Sequence, residues 1–495
     1  MQSTRPSRSR FTRETDRRRR RGAGTAWEHR PSVTVTTGGT GVVSHAGTRL
    51  LADVAEATGL TGAFGDVLAG TRARRAGHDP GRVLTDLAVL LADGGEAISD
   101  LAVLRQQPEL FGPVASTPTA WRVLDSIDEP RLAQLRRARA TARERAWLAR
   151  AELGRDLRTV QAGGRAWPGL VIDLDATLVT AHSDKEKAAA TFKGGFGYHP
   201  LLAFLDNTNE ALAGVLRAGN AGSNTTTDHI EVTDLALAQI PDEHRHGQKI
   251  LIRADGAGAT KDWLGHLHAL RSNESSPGLD VEFSVGFTMT AAVQAAILAL
   301  PKRAWTPAVQ VDGSLREGAD VAELTGLLSG LTERGWPEGM RIIVRREQPH
   351  PGAQLTFSDI DGWRFQTFAT NTKVGQLAAL EARHRAHARV EDRIRTGKDT
   401  GLGRFPSRVF AINAAWLELA LAGIDLIAWT QTTLLEGDLA VCEPKALRYR
   451  LLHTAARVVR TGRRVVVKLA DGWPWVQDLV AAFARLALIP APLRT

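Results

Sequence analysis

The chain has 495 residues with 43% hydrophobic content, enough for two or three domains with real cores. One cysteine, Cys442, excludes an intrachain disulfide and a thiolate metal cluster, and it fits a reducing, cytoplasmic setting. The formal net charge is +9, yet Met1 to Arg30 alone holds ten Arg against Glu14, Asp16 and Glu28, so the rest is close to neutral.

Residues 1–33 read as a disordered basic arm. Its centre is Arg17-Arg18-Arg19-Arg20-Arg21, set among Ser, Thr, Pro and Gly that cannot bury a core. A phosphate backbone is the natural partner of such an arm, and a solvated tail is the plain alternative. The arginine-rich start has no apolar segment after it, so it does not read as a signal peptide.

Residues 34–160 read as a helical region suited to DNA binding. Ser32 to Thr48 is rich in Thr, Val and Gly and suits a short hairpin. Apolar residues then recur at helical spacing from Arg49 to about Leu124. The next expected helix, Arg131 to Arg158, carries nine Arg against three acids, for which a DNA-tracking face and a merely solvated face both fit.

From residue 161 the pattern turns to strands. Leu170 to Leu174, Leu201 to Leu205 and Leu212 to Leu216 are short apolar runs separated by Gly, Asn and Asp, as in an antiparallel meander. A helix from Thr227 to Ile240, a strand ending at Asp255, a helix from Thr260 to Arg271 and the strand Val281 to Phe287 follow. This order predicts an α/β, RNase H-like mixed-sheet core, with the first and fourth strands adjacent. Residues 161–300 form its first part. Residues 301–372 alternate as a mostly β insertion, and 373–435 return to the core with a long helix from Val374 to Arg395. Residues 436–495 form a basic, helical C-terminal region. Ala414 to Leu435 is apolar, but Glu418 and Asp425 interrupt it, which suits a core helix better than a membrane span.

Chemistry concentrates in three acids. Asp173 and Asp175 lie in the apolar run Val171-Ile172-Asp173-Leu174-Asp175-Ala176-Thr177, and Asp255 ends Ile250-Leu251-Ile252-Arg253-Ala254-Asp255. An ionised carboxylate inside a core strand is costly unless a cation or a donor compensates it. The usual compensation is a hard divalent cation. With Glu391 on the late helix, Asp175 and Asp255 would supply the ligands of a two-ion site for phosphoryl transfer, best suited to Mg²⁺.

The ordered motifs resemble those of the DDE transposases of bacterial insertion sequences, in the group with a β insertion between the second Asp and the Glu. Asp173-Leu174-Asp175-Ala176-Thr177 is similar to the first motif and Ile252-Arg253-Ala254-Asp255-Gly256-Ala257-Gly258 to the second. Glu391, followed by Lys398, is similar to the third. Asp184-Lys185-Glu186, Gly194 to Pro200 and Arg217 to Asn224 resemble the segments after the first Asp. The signature's Tyr and Arg positions hold His384 and His387 here, either of which is a phosphate contact or a surface residue.

The resemblance implies cut-and-paste movement of a DNA element by metal-dependent strand cleavage and strand transfer at its ends. It makes Asp175, Asp255 and Glu391 the catalytic metal ligands, with two Mg²⁺ ions replaceable by Mn²⁺. The implied partners are the terminal inverted repeats, target DNA and a second copy of the chain. Lys398, His384, His387 and Arg17 to Arg21 would contact DNA, and Trp305, Trp336 or Trp363 would stack a flipped base. Asp173 stays open as the alternative first ligand or as its neighbour. Two other readings remain: a catalytically inactive protein that binds DNA ends, and a haloacid-dehalogenase-type phosphatase in which Asp173 is the nucleophile of Asp-x-Asp-x-Thr.

Overall fold

In the computed structural model, residues 33–71, 77–181, 184–222, 225–271, 278–350, 352, 359–462 and 464–490 are described. The arginines expected to form the basic arm, Arg17 to Arg21, lie outside them. Helices come first: α1 (Thr48–Ala57), α2 (Leu60–Leu68), α3 (Pro80–Asp93), α4 (Thr117–Asp125) and the long α5 (Glu129–Glu152). Side-chain caps start two of them. Asp79 accepts from the Arg82 amide ahead of α3, and Asp128 from the Arg131 amide ahead of α5, each with a proline in the first turn.

The expected core sheet then forms. Its strands are β1 (Leu170–Ala176), β2 (Leu201–Leu205), β3 (Ala211–Val215), β4 (Ile250–Ala254) and β5 (Val281–Phe287), in the spatial order β3-β2-β1-β4-β5. The meander β1-β2-β3 is antiparallel, and β4 is parallel to both β1 and β5. This is the RNase H-like order. Strands β6 (Thr306–Val309), β7 (Leu315–Glu323), β8 (Arg341–Glu347) and β9 (Trp363–Thr370) come from the segment expected as an insertion. They continue the same sheet, because β9 pairs antiparallel with β5 and with β8.

The two faces of β1 have different partners, as the two-residue period of a strand requires. Leu170, Ile172 and Leu174 pack in one apolar cluster with Val232 of α6 (Thr226–Ala238) and Trp263 of α7 (Lys261–Ala269). On the other face, Arg253 beside Asp173 donates to the Arg383 carbonyl of α8 (Leu377–Arg385), and Asp173 itself meets His387 and, on α9 (Arg389–Gly397), Arg393. The single helix expected from Val374 to Arg395 is thus two helices joined by a 3₁₀ turn at Ala386–Ala388.

The apolar stretch near residue 420 forms α10 (Phe410–Trp429). The helical run Phe410–Leu434 is long and apolar enough to cross a membrane, but most of it is buried in the second apolar cluster beside α1 and α3. A Cβ on Gly423 would lie 2.9 Å from the Ala88 carbonyl oxygen, so this glycine allows α10 and α3 to approach closely.

Two arginines of α5 have a role different from either expected one. Arg139 and Arg143 are fully buried. Arg139 donates to Glu418 at 2.7 Å and Asp425 at 2.7 Å, while Arg143 donates to Glu210 at 2.6 Å and to Asp425. These side chains tie α5 to α10 and to the β2–β3 turn, leaving neither arginine for DNA.

The C-terminal region, expected to be helical, contains the hairpin β10 (Ala456–Thr461) and β11 (Arg464–Leu469) before α11 (Val476–Leu486). Val42–Val43, expected within a local hairpin, instead adds to β10.

Candidate active site

Parallel pairing of β1 and β4 sets the geometry of the site. The register aligns Asp173 with Arg253 and Leu174 with Ala254, so Asp175 and Asp255 follow side by side at the C-terminal ends of the two strands. Both acids have the strand parity of Asp173, which faces His387 and α9. Glu391 lies in the first turn of α9. All three carboxylates line one cleft of about 820 Å³, together with Lys193, His199, His229, His387, Lys398 and the exposed Phe192.

Their environments differ. Asp175 is half-buried, whereas Asp255 and Glu391 are exposed at the cleft. Burial pushes the Asp175 carboxyl up to about 6; His387 opposes this, and the nearby negative charges of Asp255 and Glu391 reinforce it. The Ala176 amide donates to Asp175 at 2.7 Å, and the Ala257 amide donates to Asp255 at 3.0 Å, fixing each carboxylate against its own backbone.

Asp173, the alternative first ligand, is completely buried. The Arg253 guanidinium grips it through Nε at 2.7 Å and Nη2 at 2.8 Å. His387 Nδ1 lies 2.9 Å from Asp173 Oδ1, and Arg393 Nη1 donates to Oδ2 at 3.0 Å. Burial alone would raise the Asp173 pKa, but Arg253 and His387 overcome it and hold the carboxyl well below its usual range. The cost of a carboxylate in a core strand is therefore met here by arginine. Asp173 does not line the cleft, so it is poorly placed either as a metal ligand or as a phosphatase nucleophile.

Asp206 joins the same network through Arg253 at 2.7 Å, Arg389 at 3.3 Å and Arg393. Arg253 was not singled out from the sequence. Its position two residues before Asp255, at the same strand parity as that acid, was the available signal.

The residues expected to contact DNA around Glu391 divide. His387, Glu391 and Lys398 line the cleft, and His384 does not. The His384 ring stacks on Phe368 with centroids 4.4 Å apart and an interplanar angle of 7°, and its Nδ1 lies 3.0 Å from Ser284 Oγ. Burial, then His387 and Arg253, push its pKa down to about 3, so it is neutral and packed rather than a phosphate clamp. His199 and His229 also line the cleft.

The three tryptophans suggested as base-stacking platforms do not line it. Trp305 and Trp363 sandwich the Arg346 guanidinium at 4.2 and 4.4 Å, and Trp336 packs on Phe287.

Three carboxylates converging on one cleft form an all-oxygen donor set of the kind that hard divalent cations prefer, with room left for water and phosphate oxygens. Burial is the first cause of the raised Asp175 pKa, and the charges of Asp255 and Glu391 add to it.

No curated protein matches the chain. Among solved structures, a piggyBac transposase synaptic complex with hairpin DNA, determined by cryo-EM, is similar at a TM-score of 0.40 and 8% identity, covering 83% of this chain and 80% of that one. The family model described as transposase DDE domain group 1 matches residues 26–491, and the chain belongs to that family.

Proposed function

We propose that the protein is a DNA transposase that moves a DNA element by cut-and-paste, with Asp175, Asp255 and Glu391 as its catalytic carboxylates. The observation that carries this reading is the meeting of the three acids on one cleft, brought together by the in-register β1–β4 pair and the first turn of α9. A pair of Mg²⁺ ions, replaceable by Mn²⁺, would supply Lewis-acid stabilisation of the attacking and leaving oxygens.

The residues of the chain orient the rest. Asp175 and Asp255, each held by a backbone amide, set the carboxylate positions at the strand ends. Glu391 completes the set from α9. Lys398 and Lys193 face the same cleft, where a phosphodiester backbone would be neutralised. In the first step a water oxygen bonds to phosphorus and the bond to the 3′-oxygen breaks. In the second, that freed 3′-hydroxyl attacks another phosphodiester, in the opposite strand or in target DNA, and displaces its 3′-oxygen. Both steps are in-line displacements at phosphorus, so one set of acids serves both.

The arm around Arg17 to Arg21 would hold the DNA backbone near the terminal inverted repeats. Two ends must be joined in one complex, so a dimer assembled on DNA accompanies this reading.

The test is a plasmid carrying the element's two ends, incubated with protein and Mg²⁺ or Mn²⁺. Replacing Asp175, Asp255 or Glu391 singly with alanine is expected to abolish strand cleavage while end binding persists. Cleavage retained in any one of these variants overturns that residue's assignment. End binding without metal-dependent cleavage by the wild type would instead favour a purely DNA-binding protein.

A further inference from the structure

Away from the cleft, three residues distant in sequence meet at one point. His45 precedes α1, Asp93 is the last residue of α3, and His453 follows the turn Arg448–Leu452. One ligand-competent atom from each lies within 4.8 Å of the others. His45 Nε2 is 3.6 Å from Asp93 Oδ2, and His453 Nε2 is 3.1 Å from Asp93 Oδ1. Four-coordinate zinc with bonds near 2.0–2.1 Å places neighbouring ligand atoms about 3.3 Å apart, close to both separations.

We propose that His45, Asp93 and His453 form a zinc site that braces the N-terminal helices against the C-terminal region. Two imidazoles and a carboxylate are an N₂O donor set that suits zinc and is a poor match for Mg²⁺, which prefers oxygen alone. The supporting groups are also in place. Ser44 Oγ lies 2.8 Å from His45 Nδ1, so the ring can donate there from Nδ1 and present Nε2 as a free lone pair. Thr48 Oγ1 donates to Asp93 Oδ1 at 2.5 Å, and Gln107 Oε1 accepts from the Ser44 amide at 3.1 Å. Asp93 is buried while His453 is partly exposed, which leaves one side of the site open for a water as fourth ligand. The His45 and His453 rings lie 4.4 Å apart at 59°, tilted instead of stacked, so both nitrogens can turn toward one ion. Such a brace closes a loop spanning almost the whole chain and would stabilise the folded state by mass action.

The experiment uses the full chain carrying Asp175→Asn, Asp255→Asn and Glu391→Gln, so that the cleft acids do not contribute to binding. After chelator treatment, zinc is titrated calorimetrically and by thermal melting. The expected result is one zinc per chain with a rise in Tm. His45→Gln and His453→Gln should each weaken binding at least tenfold and abolish the zinc-dependent Tm rise, while His266→Gln, on α7 and outside the cluster, leaves both unchanged. Absence of stoichiometric binding, or binding indifferent to both glutamine variants, overturns the site. If either variant fails to fold, zinc-edge X-ray absorption of the parent protein decides: two imidazoles in the first shell support the assignment, and an all-oxygen shell overturns it.

Discussion

Arg253 and Asp173 face each other in register across the parallel β1–β4 pair, joined by two nitrogen–oxygen contacts of 2.7 and 2.8 Å. Two positions further along each strand, the same pairing presents Asp175 and Asp255 to the cleft. One ladder thus yields a structural ion pair and then two carboxylates without an arginine between them. The two aspartates of the first motif should separate in their mutant phenotypes. Asp173→Asn leaves Arg253 and Arg393 partly uncompensated in the interior, a change that costs about 3–5 kcal/mol in comparable buried pairs. Asp175→Asn removes a carboxylate whose pKa is already raised, so the metal-free fold should keep or gain stability while cleavage stops. Denaturant melts run alongside a cleavage assay check this; a stable, inactive Asp173→Asn protein beside an unstable Asp175→Asn protein would reverse the assignment.

Gly286 on β5 supports Asp255 from behind. A Cβ at that position would lie 2.6 Å from the Gly256 nitrogen, 2.9 Å from its Cα and 3.0 Å from the Asp255 carbonyl carbon. Backbone atoms cannot rotate away, so Gly286→Ala must push the Asp255–Gly256 segment. Overpacking of this kind costs about 1–3 kcal/mol. A catalytic group displaced by about 1 Å can lose a hundredfold in rate. The variant is therefore expected to fold and bind ends yet cleave at least tenfold more slowly, and wild-type cleavage rates would disprove the coupling.

Strand order and the acids at the strand ends were legible because both follow from local pattern: apolar runs of strand length, and carboxylates where those runs stop. The fate of each acid was not. Asp173 and Asp175 share a strand face, and only the β1–β4 register shows that one meets Arg253 while the other meets open space. The arginines of α5 misled for a similar reason. Arg139 and Arg143 look like a surface stripe until Glu210, Glu418 and Asp425, all remote in sequence, are seen to enclose them. Strand β11 of the C-terminal hairpin lacks the in/out alternation of a half-buried strand, since Arg464 to Lys468 is exposed throughout although Val465-Val466-Val467 favours a strand.

Lys398 lies on the cleft wall, where burial, then Lys193, lower its pKa. A nearby phosphate would reverse the penalty on its charge. Lys398→Ala should weaken end binding and lower the slope of log affinity against log salt by about 1, the signature of one lost phosphate contact. Filter binding or fluorescence anisotropy across a salt series reads this directly. An unchanged slope would place the lysine away from the DNA backbone.

His384 makes stability depend on pH. Its folded pKa of about 3 lies below the ordinary 6.5, so between those values the unfolded chain binds the extra proton. The contribution of a neutral His384 is therefore complete above pH 6.5 and is lost as pH falls toward 3, with a slope of at most about 1.4 kcal/mol per pH unit. The ring is half-buried, which keeps the real slope below that bound. His384→Phe retains the apolar stack on Phe368 and cannot titrate. Melting both proteins from pH 7.5 to pH 4.5 should show the wild type losing Tm faster than the variant, with the gap widening on the acid side. A gap that stays constant with pH would show that His384 takes up its proton in the folded chain as readily as in the unfolded one.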